Sequence, residues 1–264
     1  LLDEDLRSLI VEPTVTLIAR TFFLGGTSEG LTGWSTDAFG GQALAEFAGR
    51  ACYQSWSKPN PATATNEGYL RHILEVGHDS VLEHGQATLY LTGVSRGFTH
   101  ELVRHRHHSY SQLSQRYVPA SKMKVVIPPL FRGVTPVENT IAAKFAGDVK
   151  LYEELVESAN LLHQLTSAST LEAKQAREAA RSVLPNCTET RVVVTGNFRA
   201  WRELISKRAT IHADAEMREV TVMVAKVLKK EFPNVFQDMR VVTEIGPTAG
   251  PGGYEIVHWD ALSS

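Results

Sequence analysis

Strand-like segments in this chain are separated by helical segments of very unequal length, and that inequality most restricts the fold. VTLIART (15 to 21) alternates apolar and polar residues, as does GQATLYLTGVS, where Ala87, Leu89 and Leu91 share one side. MKVVIPP is a short strand stopped by Pro128 and Pro129, and ETRVVVTGN is another strand. Helical spacing starts at about residue 42 and runs through GRACYQSW, with Leu44, Phe47, Ala48 and Ala51 on one face. NEGYLRHILEVG gives a helix capped by Gly77, and RGFTHELVRHRHH reads as helical, with Arg104 and Arg106 in an irregular or helix-end stretch. A long amphipathic helix is predicted over 136 to 167, with Phe145, Val149, Tyr152 and Leu155 at helical spacing. LEAKQAREAARSVLP, ended by Pro185, is a further helix, as are FRAWRELISKRA and AEMREVTVMVAKVLKKEF. Insertions this uneven predict an α+β fold rather than a regular βαβ series. SKPNPATAT is a turn-rich break and the stretch from Gly246 to Gly253 a surface loop. No internal repeat divides the chain, and its 264 residues are enough for one generous core or two closely packed subdomains.

Charge is concentrated rather than spread. From Arg96 to Arg116 four arginines stand against Glu101 alone, while the whole chain has a net charge of −2. The densest part is RHRHHSYSQLSQRY, residues 104 to 117. Without a basic excess over the whole domain, and without a paired aromatic motif on a strand, RNA or DNA binding is not expected. No apolar run approaches the ~20 residues that span a bilayer, and no basic segment followed by an apolar one opens the chain. The chain begins with Leu1 rather than Met, so its true start is expected to lie upstream. Two cysteines make no disulfide framework and fit a reducing cytoplasm. Cys52 shares helical spacing with Phe47, Ala48 and Ala51 and is expected to be mostly buried; Cys187 is expected to begin a strand.

Familiar catalytic motifs are absent. HELVRH places its second histidine five residues after the first; on a helix that turns it about 100° away from a shared metal, so no metal is expected. There is no P-loop and no GxGxxG, and Ser114 lacks the G-x-S-x-G setting of a nucleophile. What remains is arginine and histidine chemistry suited to anions. Arg104 and Arg106 flank His105, and Ser111, Ser114 and Arg116 add hydroxyl and bidentate donors for phosphate. A second basic set contains Arg177, Arg181, Arg199, Arg202 and Arg208. For Arg177, with Glu178 beside it, an ordinary solvated helix face is explanation enough.

RHRHHSYSQLS has the form RHR, seven residues, then Ser, and in this it resembles the flavin-dependent thymidylate synthases. FAGRACYQSW, GHDSVLEH, SQLSQRYVP, AARSVLPN and TGNFRAWRELISKRATIHADAEMR follow the same family in order. The resemblance runs from about residue 15 to about 240 and is strongest to actinobacterial members. It implies a curled, mainly antiparallel sheet flanked by helices, in a homotetramer with active sites between subunits. It also implies methylation of dUMP to dTMP, with 5,10-methylenetetrahydrofolate as carbon donor, NADPH as reductant and FAD as cofactor.

By that resemblance Ser80, Arg104, His105, Arg106, Gln112, Asn197, Arg199 and Glu203 bind FAD, and His78 lies beside the flavin where folate enters. Glu101, Leu102, Val103, Arg104, Gln112, Ser114, Gln115, Arg116, Arg181 and Arg208 bind the nucleotide. Arg208 is the implied catalytic residue, a guanidinium placed to stabilise negative charge on the base. Glu101 and Gln112 carry each other's usual residue type, and Glu203 stands where relatives carry Asn or His. A carboxylate there would repel phosphates or bind sugar hydroxyls. The alternative function is a flavin- or nucleotide-binding protein without turnover.

Overall fold

The computed structural model describes residues 4–58, 60–119, 122–164, 170–244 and 253–261. Its elements begin with α1 (Glu4–Arg7), β1 (Ile10–Val11), β2 (Thr14–Arg20), α2 (Gly25–Thr32) and α3 (Gly40–Tyr53). They continue with α4 (Asn66–Val76), β3 (Gln86–Ser95), α5 (Arg96–Leu102), β4 (His108–Gln112) and β5 (Val125–Val126). The long α6 (Thr135–Gln164) and α7 (Thr170–Ala180) precede β6 (Glu189–Asn197) and α8 (Phe198–Arg208). α9 (Ala215–Glu231) and the pair β7 (Met239–Glu244) and β8 (Tyr254–Trp259) complete the chain. The fold is α+β. The largest sheet has the order β2–β3–β6–β4, β7 and β8 pair antiparallel, and β1 lies parallel to β5. No described helix is long and apolar enough to cross a membrane.

Two strands pass directly into helices because their last residue is also a cap. Ser95 Oγ accepts from Phe98 N–H at 2.9 Å, starting α5, and Asn197 Oδ1 accepts from Ala200 N–H at 2.8 Å, starting α8. Such caps contribute about 1 kcal/mol each and fix where the helix begins. α4 ends as its sequence predicts, on Gly77 in the left-handed conformation with φ 69°. α5 is shorter than its pattern suggested. It stops at Leu102, since no apolar residue continues its buried face, and the Arg104–His107 stretch turns into β4, a strand the sequence reading missed.

The contacts divide the chain into two compact units. The first comprises Leu1–Thr14, Leu91–Arg104 and Ser111–Val192. Its core gathers Met123, Val125, Ala142, Phe145, Tyr152 and Ala180, with Val149 and Val156 packed against it. Leu155 is one position off that stripe and is exposed, which corrects its predicted place on the core face. Residues 165 to 167 of the predicted long helix lie outside the described residues.

The second unit comprises Val15–Tyr90, His105–Tyr110 and Val193–Ser264. Trp201, Leu204 and Ile205 of α8 are buried, as are Met217, Val220 and Val224 of α9. In α3 the predicted apolar face, Leu44, Phe47, Ala48 and Ala51, is only half-buried. The deeper face carries Ala45 and Gly49 together with a buried ion pair, Arg50 Nε to Glu46 Oε1 at 2.7 Å. Asn66 and Thr36 donate to Glu46 Oε2, and Arg50 also donates to the carbonyls of Ser55 and Thr63. Apolar periodicity cannot reveal a face built from a satisfied charge pair, and removing one partner would cost about 3–5 kcal/mol. Cys52 is exposed, contrary to expectation, because it follows the solvent side of α3. The predicted loop over 246 to 252 lies outside the described residues.

Candidate active site

A cavity of about 790 Å³ opens on the second unit, lined in part by Asp79, Glu83, His107, Asn197, Arg199 and Glu203. Three of these, Asn197, Arg199 and Glu203, are expected cofactor residues. Asn197 spends its side-chain oxygen on capping α8, so its amide nitrogen is the group available for a ligand. Arg199 projects from the first turn of α8 and donates to Glu83 Oε1 at 2.5 Å; this hydrogen bond raises its already high pKa. Glu203 lies one turn further on and pairs with Lys207. The Lys207 ammonium, aided by His107 and His105, holds the Glu203 carboxyl below the usual carboxylate range. The unfavourable charge expected of Glu203 is therefore matched within the same helix.

Residues that sequence reasoning did not assign to the site complete the wall. Arg202 forms a two-pronged contact with Asp238, at 2.8 and 2.6 Å, and its guanidinium lies 4.5 Å over the Trp259 ring. Arg202 had been noted only as a charge, and Asp238 and Trp259 come from the C-terminal part whose hairpin gave no legible signal. The donor set fits a large sugar–phosphate ligand such as FAD: guanidinium and amide groups suit phosphate, and carboxylates suit sugar hydroxyls. His78 and Ser80 are exposed beside Asp79. His78 makes no side-chain capping hydrogen bond to the turn that follows it.

The RHR turn supplies the second unit's most specific contact. Arg208 Nε donates to His105 Nε2 at 3.0 Å, and Tyr110 Oη donates to the His105 carbonyl at 2.7 Å. Arg106 is exposed. His108 is buried against Trp201, with ring centroids 4.6 Å apart, and burial, with His105 and His107 nearby, pushes its pKa down to about 4. Gly196 permits this packing, since a Cβ there would come within 2.5 Å of the His108 ring.

The remaining expected nucleotide residues belong to the first unit. Glu101 and Arg104 are 3.9 Å apart at the end of α5, where Arg104 and Val103 are exposed. Leu102 is 1% exposed, its side chain and backbone both buried. Gln112 Nε2 donates to Thr99 Oγ1 at 3.0 Å and Thr190 Oγ1 at 3.3 Å, an internal role. Gln115 is buried, with Nε2 3.9 Å from Met123 Sδ. Arg116 pairs with Glu178 at 2.5 Å, and Ser114 Oγ accepts from the Arg116 N–H. Arg181 opens the turn after α7 near Arg96, whose pKa is lowered by burial and then by the Arg181 charge. Arg96 is the residue the sequence reading counted but did not assign. Two like charges held near each other suit an anion.

The family model described as "Thymidylate synthase complementing protein" matches residues 36–234. The flavin-dependent thymidylate synthase of Mycobacteroides abscessus is 54% identical over 238 residues, covering 89% of this chain and 92% of that protein. The flavin-dependent thymidylate synthase of Mycobacterium avium is 52% identical over 229 residues, with 87% and 90% covered. That of Mycobacterium sp. strain JLS is 54% identical over 231 residues, with 86% and 90% covered. Identity at this level across most of both chains, together with an intact RHR turn, shows that the chain belongs to the flavin-dependent thymidylate synthases.

Proposed function

We propose that this chain divides the work of its family between two residue sets, one for FAD and one for the nucleotide. The reaction is the FAD-dependent methylation of dUMP to dTMP, with 5,10-methylenetetrahydrofolate as carbon donor, NADPH as reductant and tetrahydrofolate as product. When bound, FAD supplies the redox chemistry that reduces the transferred carbon to a methyl group. Arg104, His105, Arg106, Asn197 and Arg199 hold that cofactor, with Ser80, Gln112, Glu203 and His78 around it. The observation that carries this reading is the second unit's cavity, which brings Asn197, Arg199 and Glu203 to one wall.

On the nucleotide side, Arg181, Arg116 and Ser114 bind the phosphate, with Glu101, Leu102, Val103, Arg104, Gln112 and Gln115 lining the rest of the substrate. Arg208 acts on the base. Uracil C5 is a poor nucleophile, and a fixed guanidinium at the O4/N3 edge stabilises the negative charge that must build there as C5 attacks. Residues 1–264 serve as one catalytic domain of a cytoplasmic homotetramer whose active sites lie between subunits. Exposed Phe22, Phe39 and Tyr53 support assembly, since each leaves most of an aromatic side chain in solvent.

Tritium release from 5-tritiated dUMP tests the function, with folate, NADPH and FAD each omitted in turn. Release is expected only with all three, alongside tetrahydrofolate. Bound flavin without release would favour a binding protein lacking turnover. Within the same assay, Arg106→Ala should purify folded but depleted in FAD; full flavin occupancy would remove the cofactor assignment of the RHR turn.

A further inference from the structure

The wall of the second unit's cavity carries more acid than base. α8 buries Trp201, Leu204 and Ile205, which leaves Arg199, Arg202, Glu203 and Ser206 on the strip that lines the cavity. Arg199 donates to Glu83 Oε1 at 2.5 Å, and Arg202 donates to the two oxygens of Asp238 at 2.8 and 2.6 Å. Among the described lining residues, the carboxylates of Asp79, Glu83, Glu203 and Asp238 outnumber the guanidiniums of Arg199 and Arg202. Both guanidiniums are already engaged. A ligand of modest negative charge can still exchange for one carboxylate, but a further phosphate would meet only surplus acid.

Glu203 is the carboxylate best placed to make that difference. It lies one turn, about 6 Å, beyond Arg199 on α8, and its side chain is 43% exposed. Lys207, a further turn on, donates to its Oε1. That hydrogen bond, with His107 and His105 nearby, holds the carboxyl below the usual carboxylate range, so it is ionised at neutral pH. An ionised carboxylate only accepts hydrogen bonds. It suits the free hydroxyls of a ribose and repels a phosphomonoester, which carries about −1.5 to −2 charges at pH 7. Carboxylates make the same choice in other dinucleotide sites, where an acidic side chain takes the ribose 2′-hydroxyl and an arginine accommodates a 2′-phosphate.

We propose that Glu203 makes this cavity selective against ribose phosphates: it admits FAD, whose ribose hydroxyls are free, and turns away NADPH, the 2′-phosphorylated dinucleotide of the same reaction. This rests on the reading of the cavity as the FAD site. Cofactor and reductant share an ADP half, so without such a device the reductant would compete for the cofactor's place. Lys207 has a second part in it. Paired with Glu203 it keeps the carboxylate ionised; released, it would itself be a phosphate ligand.

The test is competition against FAD binding on the full chain, followed by flavin fluorescence. NAD+ and NADP+ differ only in the 2′-phosphate, so the ratio of their inhibition constants isolates that group. In the parent, NADP+ should compete about tenfold more weakly than NAD+, which corresponds to ~1.4 kcal/mol. Glu203→Gln keeps an acceptor oxygen for the hydroxyls, so FAD affinity should change less than about fivefold. The preference for NAD+ should reverse in that variant, because Lys207 is released to the phosphate. Adding Lys207→Met should bring the two competitors close to parity. A glutamate that merely braced α8 would move both competitors together and leave their ratio alone. Raising the ionic strength from about 0.01 to about 1 M should narrow the parent's gap, since the screening length falls from ~30 to ~3 Å. Equal competition by NAD+ and NADP+ in the parent, or an unchanged ratio in Glu203→Gln, would overturn the inference and leave the FAD site in place. FAD binding that neither dinucleotide affects would do the same. A parent that binds no FAD would instead remove the reading of the cavity, and the selectivity with it.

Discussion

In the second unit Arg199 and Arg202 each meet a carboxylate, Glu83 at 2.5 Å and Asp238 at 2.6 Å. In the first unit Arg96 and Arg181 lie near each other, and among the described residues neither joins an ion pair. The difference separates two ways of preparing for an anionic ligand. A paired guanidinium is oriented in advance but must give up its partner before a phosphate can gain from it. Two unpaired guanidiniums store repulsion that an arriving phosphate relieves. The second unit avoids uncompensated charge elsewhere as well, keeping His108 buried and neutral.

The strongest way to break that rule is to force a charge into the second unit with acid. His108 has a folded pKa of about 4 against an ordinary 6.5, so between those values the unfolded chain takes up a proton that the folded one refuses. Stability is therefore unaffected by His108 above pH 6.5 and declines as pH falls from there toward 4. The linkage amounts to about 2 kcal/mol between pH 7 and pH 5. Urea unfolding at the two pH values should show this loss in the parent and a shallower dependence in His108→Phe. Equal pH slopes would mean that His108 is not the group held neutral.

The comparison itself is sharpened by one alanine on each side. Arg181→Ala should weaken dUMP binding roughly 10–100-fold, the worth of a charge-assisted hydrogen bond of ~1.5–3 kcal/mol. It should not lower the melting temperature, because it also relieves the repulsion on Arg96. Arg199→Ala should weaken FAD binding less than about tenfold, since binding there already has to displace Glu83 and exposed pairs are worth ~0–1 kcal/mol. Glu83→Gln should tighten FAD binding slightly. Calorimetric titration of dUMP, and of FAD into apoprotein, measures both. Equal losses at Arg181 and Arg199 would erase the distinction drawn between the units.

How much of this was legible depended on whether a feature repeats along the chain. The alternation of Ala87, Leu89 and Leu91 marked β3, and all three are buried. Gly77 marked the end of α4, because only a residue tolerant of positive φ terminates a helix that way. The RHR turn and the arginines were visible as an unusual local composition. Their partners were not: no spacing rule links Arg208 to His105, Arg202 to Asp238, or Arg199 to Glu83, which meet only through tertiary packing. The buried face of α3 was missed for a related reason, since Glu46 and Arg50 look solvent-facing until their mutual satisfaction is seen. The hairpin of β7 and β8 was missed because the Gly/Pro-rich stretch between its strands read only as a surface loop, with no strand assigned on either side.

The smallest expected effect concerns the cysteines, and it separates this chemistry from a route in which a thiolate adds to C6 of the base. That route needs an accessible thiol in an electropositive setting close to the substrate. Cys52 is exposed, so burial no longer argues against it, but position does. It stands in the last turn of α3, where the helix end favours cations rather than a thiolate. Cys187 precedes β6 by two residues rather than beginning it, and it packs against the apolar cluster around Val125 and Phe145. Neither is in the second unit's cavity lining. The Cys52→Ser, Cys187→Ser double variant should therefore keep tritium release within roughly tenfold of the parent, under ~1.4 kcal/mol in the barrier. It should still require NADPH and still yield tetrahydrofolate. Abolished release from a folded, FAD-loaded double variant, or dihydrofolate formed without NADPH, would restore a thiol nucleophile and leave the arginine contrast irrelevant to the chemical step.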